Sequence, residues 1–295
     1  MKNLSGSLSV VISALLFGTI GIFNRWIPLN AFVQSCWRFA FATTFFALFF
    51  KDARRLPNKR DFLPFLILGA SLGSAGALFA LSVNYIPVGT AGFCYQSLPV
   101  FVLIMSGRLF KERVSLPTFA SIALALVGTA LLAPPSAWKL SGNELVGVLI
   151  ALASALAGAS MMVCLQWLSG TYTSLQRTLW MSLGAGILLT PSLFVVREQP
   201  YSPFVFGMLA VLGLIAGLGS YFANLGISQV GATRTSILLY VEPVAAAGYA
   251  TAIFHERLTL LNWGGALLIV CAGLIILHET TKPPKGEDHH GGESR

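Results

Sequence analysis

Hydrophobic positions run along this chain in long blocks, broken by short polar or proline-containing segments. A helix needs about 20 apolar residues to cross the hydrocarbon core of a bilayer. The blocks predict ten such helices: Ser7 to Phe23, Ala31 to Phe50, Phe62 to Ser82, Val88 to Leu109, Leu116 to Leu132, Glu144 to Leu168, Leu175 to Val195, Phe204 to Ser228, Thr233 to Phe254 and Thr259 to Leu277. Pro134 and Pro135 lie in a polar break after the fifth. The first block follows Lys2, has no convincing cleavage site after it, and reads as a retained helix. From Thr280 the chain is rich in proline, glycine and charge, so 280–295 is expected to be a disordered tail.

Composition removes the soluble classes. The chain of 295 residues is 55% hydrophobic and 10% charged, against roughly 25% charged in soluble domains, and its mean hydropathy is +0.76. Helices apolar on every face belong in lipid. The net charge of +8 does not point to nucleic acid, because the charges sit in loops and in the tail, with no basic stripe interleaved with aromatics. Lys51, Arg54, Arg55, Lys59 and Arg60 share one loop, and Arg108, Lys111 and Arg113 another. The opposite side receives Arg25, Lys139, Arg197 and Arg257. The positive-inside rule therefore predicts an integral protein of the cell (inner or plasma) membrane with both termini cytoplasmic. Cys36, Cys94, Cys164 and Cys271 fall inside apolar blocks without metal or redox spacing and read as buried apolar side chains.

The two halves resemble each other at a separation of about 144 residues. Gly69 and Gly73 match Gly213 and Gly217, Pro99 matches Pro243, and LFKERVSL from Leu109 reappears as IFHERLTL from Ile253. A half with five helices, an odd number, re-enters the membrane from the other side. The expected fold is all-α, ten transmembrane helices as two inverted five-helix repeats, 1–140 and 141–279. Such repeats make states open to either side nearly equal in energy, the basis of alternating access.

Pro99 followed by Glu112-Arg113, and Glu242-Pro243 followed by His255-Glu256-Arg257-Leu258 and GGALLIVCAGLIIL, resemble the EamA-type fold of the drug/metabolite transporter superfamily. Trp37-Arg38-Phe39 is similar to the arginine-containing motif usual in its second helix. The resemblance covers Ser7 to Leu277 and implies ten helices, a central cavity, and export or exchange of small organic metabolites. Leu98 stands where Glu242 stands in the second half, so the acidic-proline pair is single.

Glu242 is the sharpest functional residue, because a mid-span charge is costly and must face a cavity or a partner. It suits a proton site or a substrate amine, and equally a structural carboxyl. Arg38 suits a substrate carboxylate or, with more weight, a structural pair with Glu242. Trp37, Asn84, Tyr95, Gln96, Trp180, Tyr221, Asn224 and Tyr240 are polar or aromatic residues within spans, and complete the expected substrate-binding set, although each is more often packing than ligand. Glu112 and Glu256 read as connector-locking partners of the arginines beside them. Gly69, Gly73, Gly76, Gly213, Gly217 and Gly219 read as close-approach surfaces.

An enzyme is not expected. GASLG at Gly69 to Gly73 matches a hydrolase elbow, but lies inside an apolar helix with no mid-span histidine. Neither H-E-x-x-H nor a Walker A motif is present, and no cofactor or metal is expected. The expected function is a secondary transporter of small metabolites, with amino acids or related amphipathic compounds first. The alternative is a non-transporting membrane scaffold or sensor. The expected partners are the substrate, the bilayer and, at Glu242, protons; a monomer suffices to enclose a cavity.

Overall fold

The computed structural model describes residues 2–111, 115–132, 144–196, 202–255 and 258–281. Glu112, Arg113, Lys139, Arg197, Glu256, Arg257 and the tail beyond 281 lie outside the described residues. Every regular element described is helical: α1 (Lys2–Gly18), α2 (Ile20–Trp26), α3 (Ala31–Phe49), α4 (Phe62–Ser82), α5 (Val88–Tyr95), α6 (Leu98–Leu109), α7 (Leu116–Leu132), α8 (Glu144–Leu168), α9 (Ser174–Leu189), α10 (Ser192–Val195), α11 (Pro203–Val230), α12 (Ala232–Leu238), α13 (Val241–Phe254) and α14 (Leu260–Thr281). Among the described residues, nine helical stretches are long and apolar enough to cross a membrane, and α7 is a shorter apolar helix. The side chains are arranged for lipid. Leu260, Leu267 and Leu274 stand exposed on α14, while Ser13, Ser82, Ser106, Ser121, Ser154 and Asn224 are buried.

Several predicted helices are divided. The fourth breaks at Gln96 and Ser97, and the ninth at Leu239 and Tyr240. Pro99 and Pro243 explain this, since each lacks the N–H that would bond the carbonyl four residues back. Pro191 likewise separates α9 from α10, and the first block divides at Thr19. The α4-to-α5 and α2-to-α3 connections are short, and Asn30 caps α3 by accepting from the Phe32 amide at 2.9 Å. Between α11 and α12 there is only Gly231, at φ 84°, which an L side chain would strain.

Helix contacts run across the sequence. α1 packs on α11, α8 on α4, α3 on α11, α9 on α4, and α7 on α14. Serines staple two of these contacts: Ser13 Oγ donates to the Gly219 carbonyl at 2.8 Å, and Ser154 Oγ to the Ala75 carbonyl at 2.7 Å. Glycines set the closest approaches, as small residues do where lipid removes the hydrophobic drive. A Cβ at Gly69 would stand 2.6 Å from the Gly184 Cα on α9, and one at Gly213 2.4 Å from Phe41 Cβ on α3. Gly76 is different, because nothing lies within 4 Å of its added Cβ. Its expected role in close packing is therefore not seen. Gly69→Val should lower stability by about 1–3 kcal/mol through overpacking, while Gly76→Ala should change it little; thermal unfolding of the two variants in detergent checks both.

Candidate functional site

The two proline breaks meet in the interior. The break in the fourth span leaves the Gln96 carbonyl without its helical partner, because the Val100 amide turns to the Ser97 carbonyl at 2.9 Å. Tyr240, in the other break and only 1% exposed, donates its hydroxyl to that Gln96 carbonyl at 2.5 Å. Beside this contact lies a cavity of about 200 Å³, whose wall includes Phe17, Tyr95, Gln96, Met162, Asn224 and Glu242. Glu242 lies in the first turn of α13, where helix N-terminal amides favour negative charge.

The structure brings four of the expected residues, Tyr95, Gln96, Asn224 and Glu242, into one wall. Arg38 is outside that wall. Among the described residues no direct ion pair joins Arg38 to Glu242, and Arg38 Nε is buried without a hydrogen-bond partner. Trp37 packs with Phe41 and Phe206, ring centroids 5.9 and 5.3 Å away. Tyr221 packs at a tilt against Phe46, ring centroids 6.2 Å apart. Trp180 donates its indole N–H to the Arg55 carbonyl at 3.1 Å. Tyr240 is spent on Gln96, and Asn84 is exposed in the turn after α4. These five do not line the cavity, since aromatic and amide content alone does not tell a lining face from a packing face.

Sequence reasoning missed Arg177. It is fully buried at 0% exposure and donates to the carbonyls of Leu165 at 2.8 Å and Asn224 at 3.0 Å, and to the Ser174 and Ser228 hydroxyls. It thereby joins α8, α9 and α11. Its one legible signal was a basic residue in the first turn of a helix, where the macrodipole disfavours it. The methionines of the cavity wall, Met161, Met162 and Met181, were missed also; thioethers form adaptable surfaces.

Packing is dense at one end of the cavity. In α12 six of the seven residues are buried, whereas in α13 only Ala245 is. At the α12 end, Gln166 Oε1 accepts from the Ala232 amide at 2.6 Å. Tyr172, between α8 and α9, donates to Asp61 Oδ2 at 2.7 Å, accepts from the Asn58 amide at 2.9 Å, and meets the Phe65 ring edge-on. This polar lock holds the 50–61 loop against the α8–α9 turn. The four cysteines are free thiols, and no cluster suited to a metal ion exists among the described residues.

The EamA-like transporter family matches residues 4–133 and 145–278. The chain belongs to this family. An uncharacterized transporter of Archaeoglobus fulgidus is 27% identical to this EamA-like chain, over 92% of the chain and 97% of the relative. The pseudopaline exporter CntI of Pseudomonas aeruginosa is 23% identical, over 71% and 74%. The inner membrane transporter YicL of Salmonella typhimurium is 25% identical, over 92% and 94%. A solved crystal structure shares the fold, with a TM-score of 0.82 at 15% identity, covering 94% of this chain and 99% of that one. The EamA-like chain is an integral membrane protein whose relatives are transporters, not enzymes. Ser71, the nucleophile of the discarded hydrolase motif, stands within α4.

Burial and the Asp61 carboxylate raise the Tyr172 hydroxyl above its ordinary range. A raised pKa means that the neutral phenol stabilises the fold. That contribution is complete below the ordinary value of about 10 and is lost as pH rises through the raised one. Tyr172→Phe should cost about 1 kcal/mol at neutral pH. The gap from the parent protein should close in strongly alkaline buffer, as read by thermal unfolding across pH.

Proposed function

We propose that the chain is a secondary transporter of small organic metabolites, amino acids or related amphipathic compounds, working by alternating access between inverted halves 1–140 and 141–279. The observation that carries this reading is the cavity beside two helix breaks, with Glu242 in its wall. Discontinuous helices at a midplane site are the recurring arrangement of such transporters. The substrate amine would face Glu242, and the methionines, Phe17 and Leu72 would hold its apolar part.

Four observations support the halves. The family matches the chain in two segments. The serine staples are reciprocal: Ser13 of the first helix reaches the eighth span, and Ser154 of the sixth reaches the third. Gly69 packs on α9 and Gly213 on α3, again an exchanged pair. Lys111 and His255, equivalent in the two halves, both take φ 55°, an uncommon conformation for such residues.

The positive-inside bias supports cytoplasmic termini in the inner membrane, with the Tyr172 lock and the 280–295 tail on the same side. The name of the Pseudomonas aeruginosa relative supports export. The chain carries no ATP-binding motif that the sequence reveals, so the driving force is a substrate gradient or protons. Protonation of Glu242 would remove the cost of moving its charge. One chain encloses the cavity, which favours a monomer.

Purified protein in liposomes loaded with labelled amino acids and organic cations, with and without a pH gradient, tests this. Release of one class, lost or reduced at least tenfold in Glu242→Gln, is expected. Undiminished, pH-independent release by Glu242→Gln would leave a carrier whose Glu242 is structural, and no release of any class would count against transport of these compounds.

A further inference from the structure

The loop between α3 and α4 carries more positive charge than its own acids use. Lys51, Arg54, Arg55, Lys59 and Arg60 are all exposed there. Asp52 is taken by Arg55 at 3.1 Å, and Asp61 by the Tyr172 hydroxyl at 2.7 Å. Arg54 turns back to α3. It donates to the Ala47 carbonyl and, at 3.0 Å, to the Leu48 carbonyl, and so caps the end of that helix. Lys51, Lys59 and Arg60 form no hydrogen bond or ion pair with any described residue.

Orienting a chain in a membrane needs only the charges, which a loose loop supplies equally well. This loop is not loose. Ala53 is fully buried, in a cluster with Phe46 and Leu179. The Trp180 indole holds the Arg55 carbonyl at 3.1 Å, and the Tyr172 hydroxyl accepts from the Asn58 amide at 2.9 Å. Two short 3₁₀ turns, Lys51–Arg54 and Lys59–Asp61, carry the unpaired cations. With the backbone held at these points, a ligand has only side chains left to order, which keeps the cost of binding low.

The surroundings select the anion. Leu48 and Phe49 close α3, and Phe62 and Leu63 open α4; all four are exposed, Phe49 at 70% and Phe62 at 64%. In a chain that spans a bilayer, such side chains lie against acyl chains, and cations directly beyond them lie at headgroup depth. Leu56, within the loop itself, is 78% exposed beside Arg55. A phospholipid offers both an anionic phosphate and an apolar body, whereas a soluble phosphate would use the charge alone. We propose that this loop is a binding site for the headgroup of an anionic phospholipid, with Lys51, Lys59 and Arg60 on the phosphate and Leu56 toward the acyl chains. The site is separate from the cavity and does not depend on the transport reading.

Native mass spectrometry of the purified full chain in detergent tests this, with phosphatidylglycerol and phosphatidylcholine of the same acyl chains supplied in equal amounts. One basic side chain near an anionic lipid surface is worth about fivefold. The parent protein should therefore retain phosphatidylglycerol at least about fivefold over phosphatidylcholine. In the triple variant Lys51→Gln, Lys59→Gln, Arg60→Gln the preference should fall to about twofold or less. The double variant Arg108→Gln, Lys111→Gln, which removes charge at the end of α6, should keep it. Raising ammonium acetate tenfold should shrink the preference of the parent protein, a reading that needs no variant to fold. Inorganic phosphate should not displace the lipid. No preference in the parent protein, one untouched by salt, one that survives the triple variant, or one lost equally in the double variant overturns the proposal. Displacement by inorganic phosphate also overturns it, in favour of a soluble anion. None of these outcomes bears on release of substrate from liposomes.

Discussion

Lipid offers no hydrogen bonds, so a spanning helix can be interrupted only where protein takes over the groups set free. Of the divided spans, the two broken at Pro99 and Pro243 meet in the interior. The carbonyl released at Gln96 is claimed by the hydroxyl of Tyr240 from the other interruption. The break at Pro243 closes on itself, the Glu242 amide donating to the Leu239 carbonyl at 2.9 Å. The cavity follows from that juxtaposition, since two helices that stop and restart at one level leave space beside their ends. Glu242 then occupies the start of a helix, where a buried carboxylate has amides to face.

The same economy governs the helix contacts. With no hydrophobic drive between helices in a bilayer, association depends on close backbone approach and on serine hydroxyls that find carbonyls. Ser13 and Ser154 supply such bonds in exchanged positions, and glycines of α4 and α11 supply the approach. The packing is not uniform along the membrane normal. The α12 end is dense and locked by Tyr172, Gln166 and Arg177, and the α13 end is loose. One end of the cavity is held more firmly than the other.

Much of this was legible in the sequence. Hydropathy located the spans, because lipid imposes a length that composition must obey. The recurrence of proline and of LFKER-like segments marked equivalent positions in the two halves, and the helix breaks and the left-handed Lys111 and His255 turned out to stand at them. Glu242 stood out because a mid-span acid has few explanations. The rest was hidden for physical reasons. Which face of an apolar helix looks inward cannot be read when every face is apolar, so Trp37, Trp180 and Tyr221 were candidates for the lining and stand outside the cavity wall. Arg177 was hidden because its partners are two backbone carbonyls and two serine hydroxyls, with no carboxylate among them to mark a pair in the sequence. Asn84 shows the opposite error: a polar residue near a span end proved to be an ordinary surface residue.

The single-residue turn at Gly231 makes the chain from α11 to the end of α12 a ruler. Elsewhere a connecting loop can absorb an inserted or deleted residue, but here α11 runs into α12 through Gly231 alone, and the first give on the way to Glu242 is the break at Leu239 and Tyr240. One residue added between Gly231 and Leu238 would turn the rest of α12 by about 100° around its axis and shift it by about 1.5 Å, against a face of which six of seven residues are buried. Length in this segment is fixed by chemistry in the way that sequence is fixed elsewhere, and its substitutions and its insertions obey quite different rules.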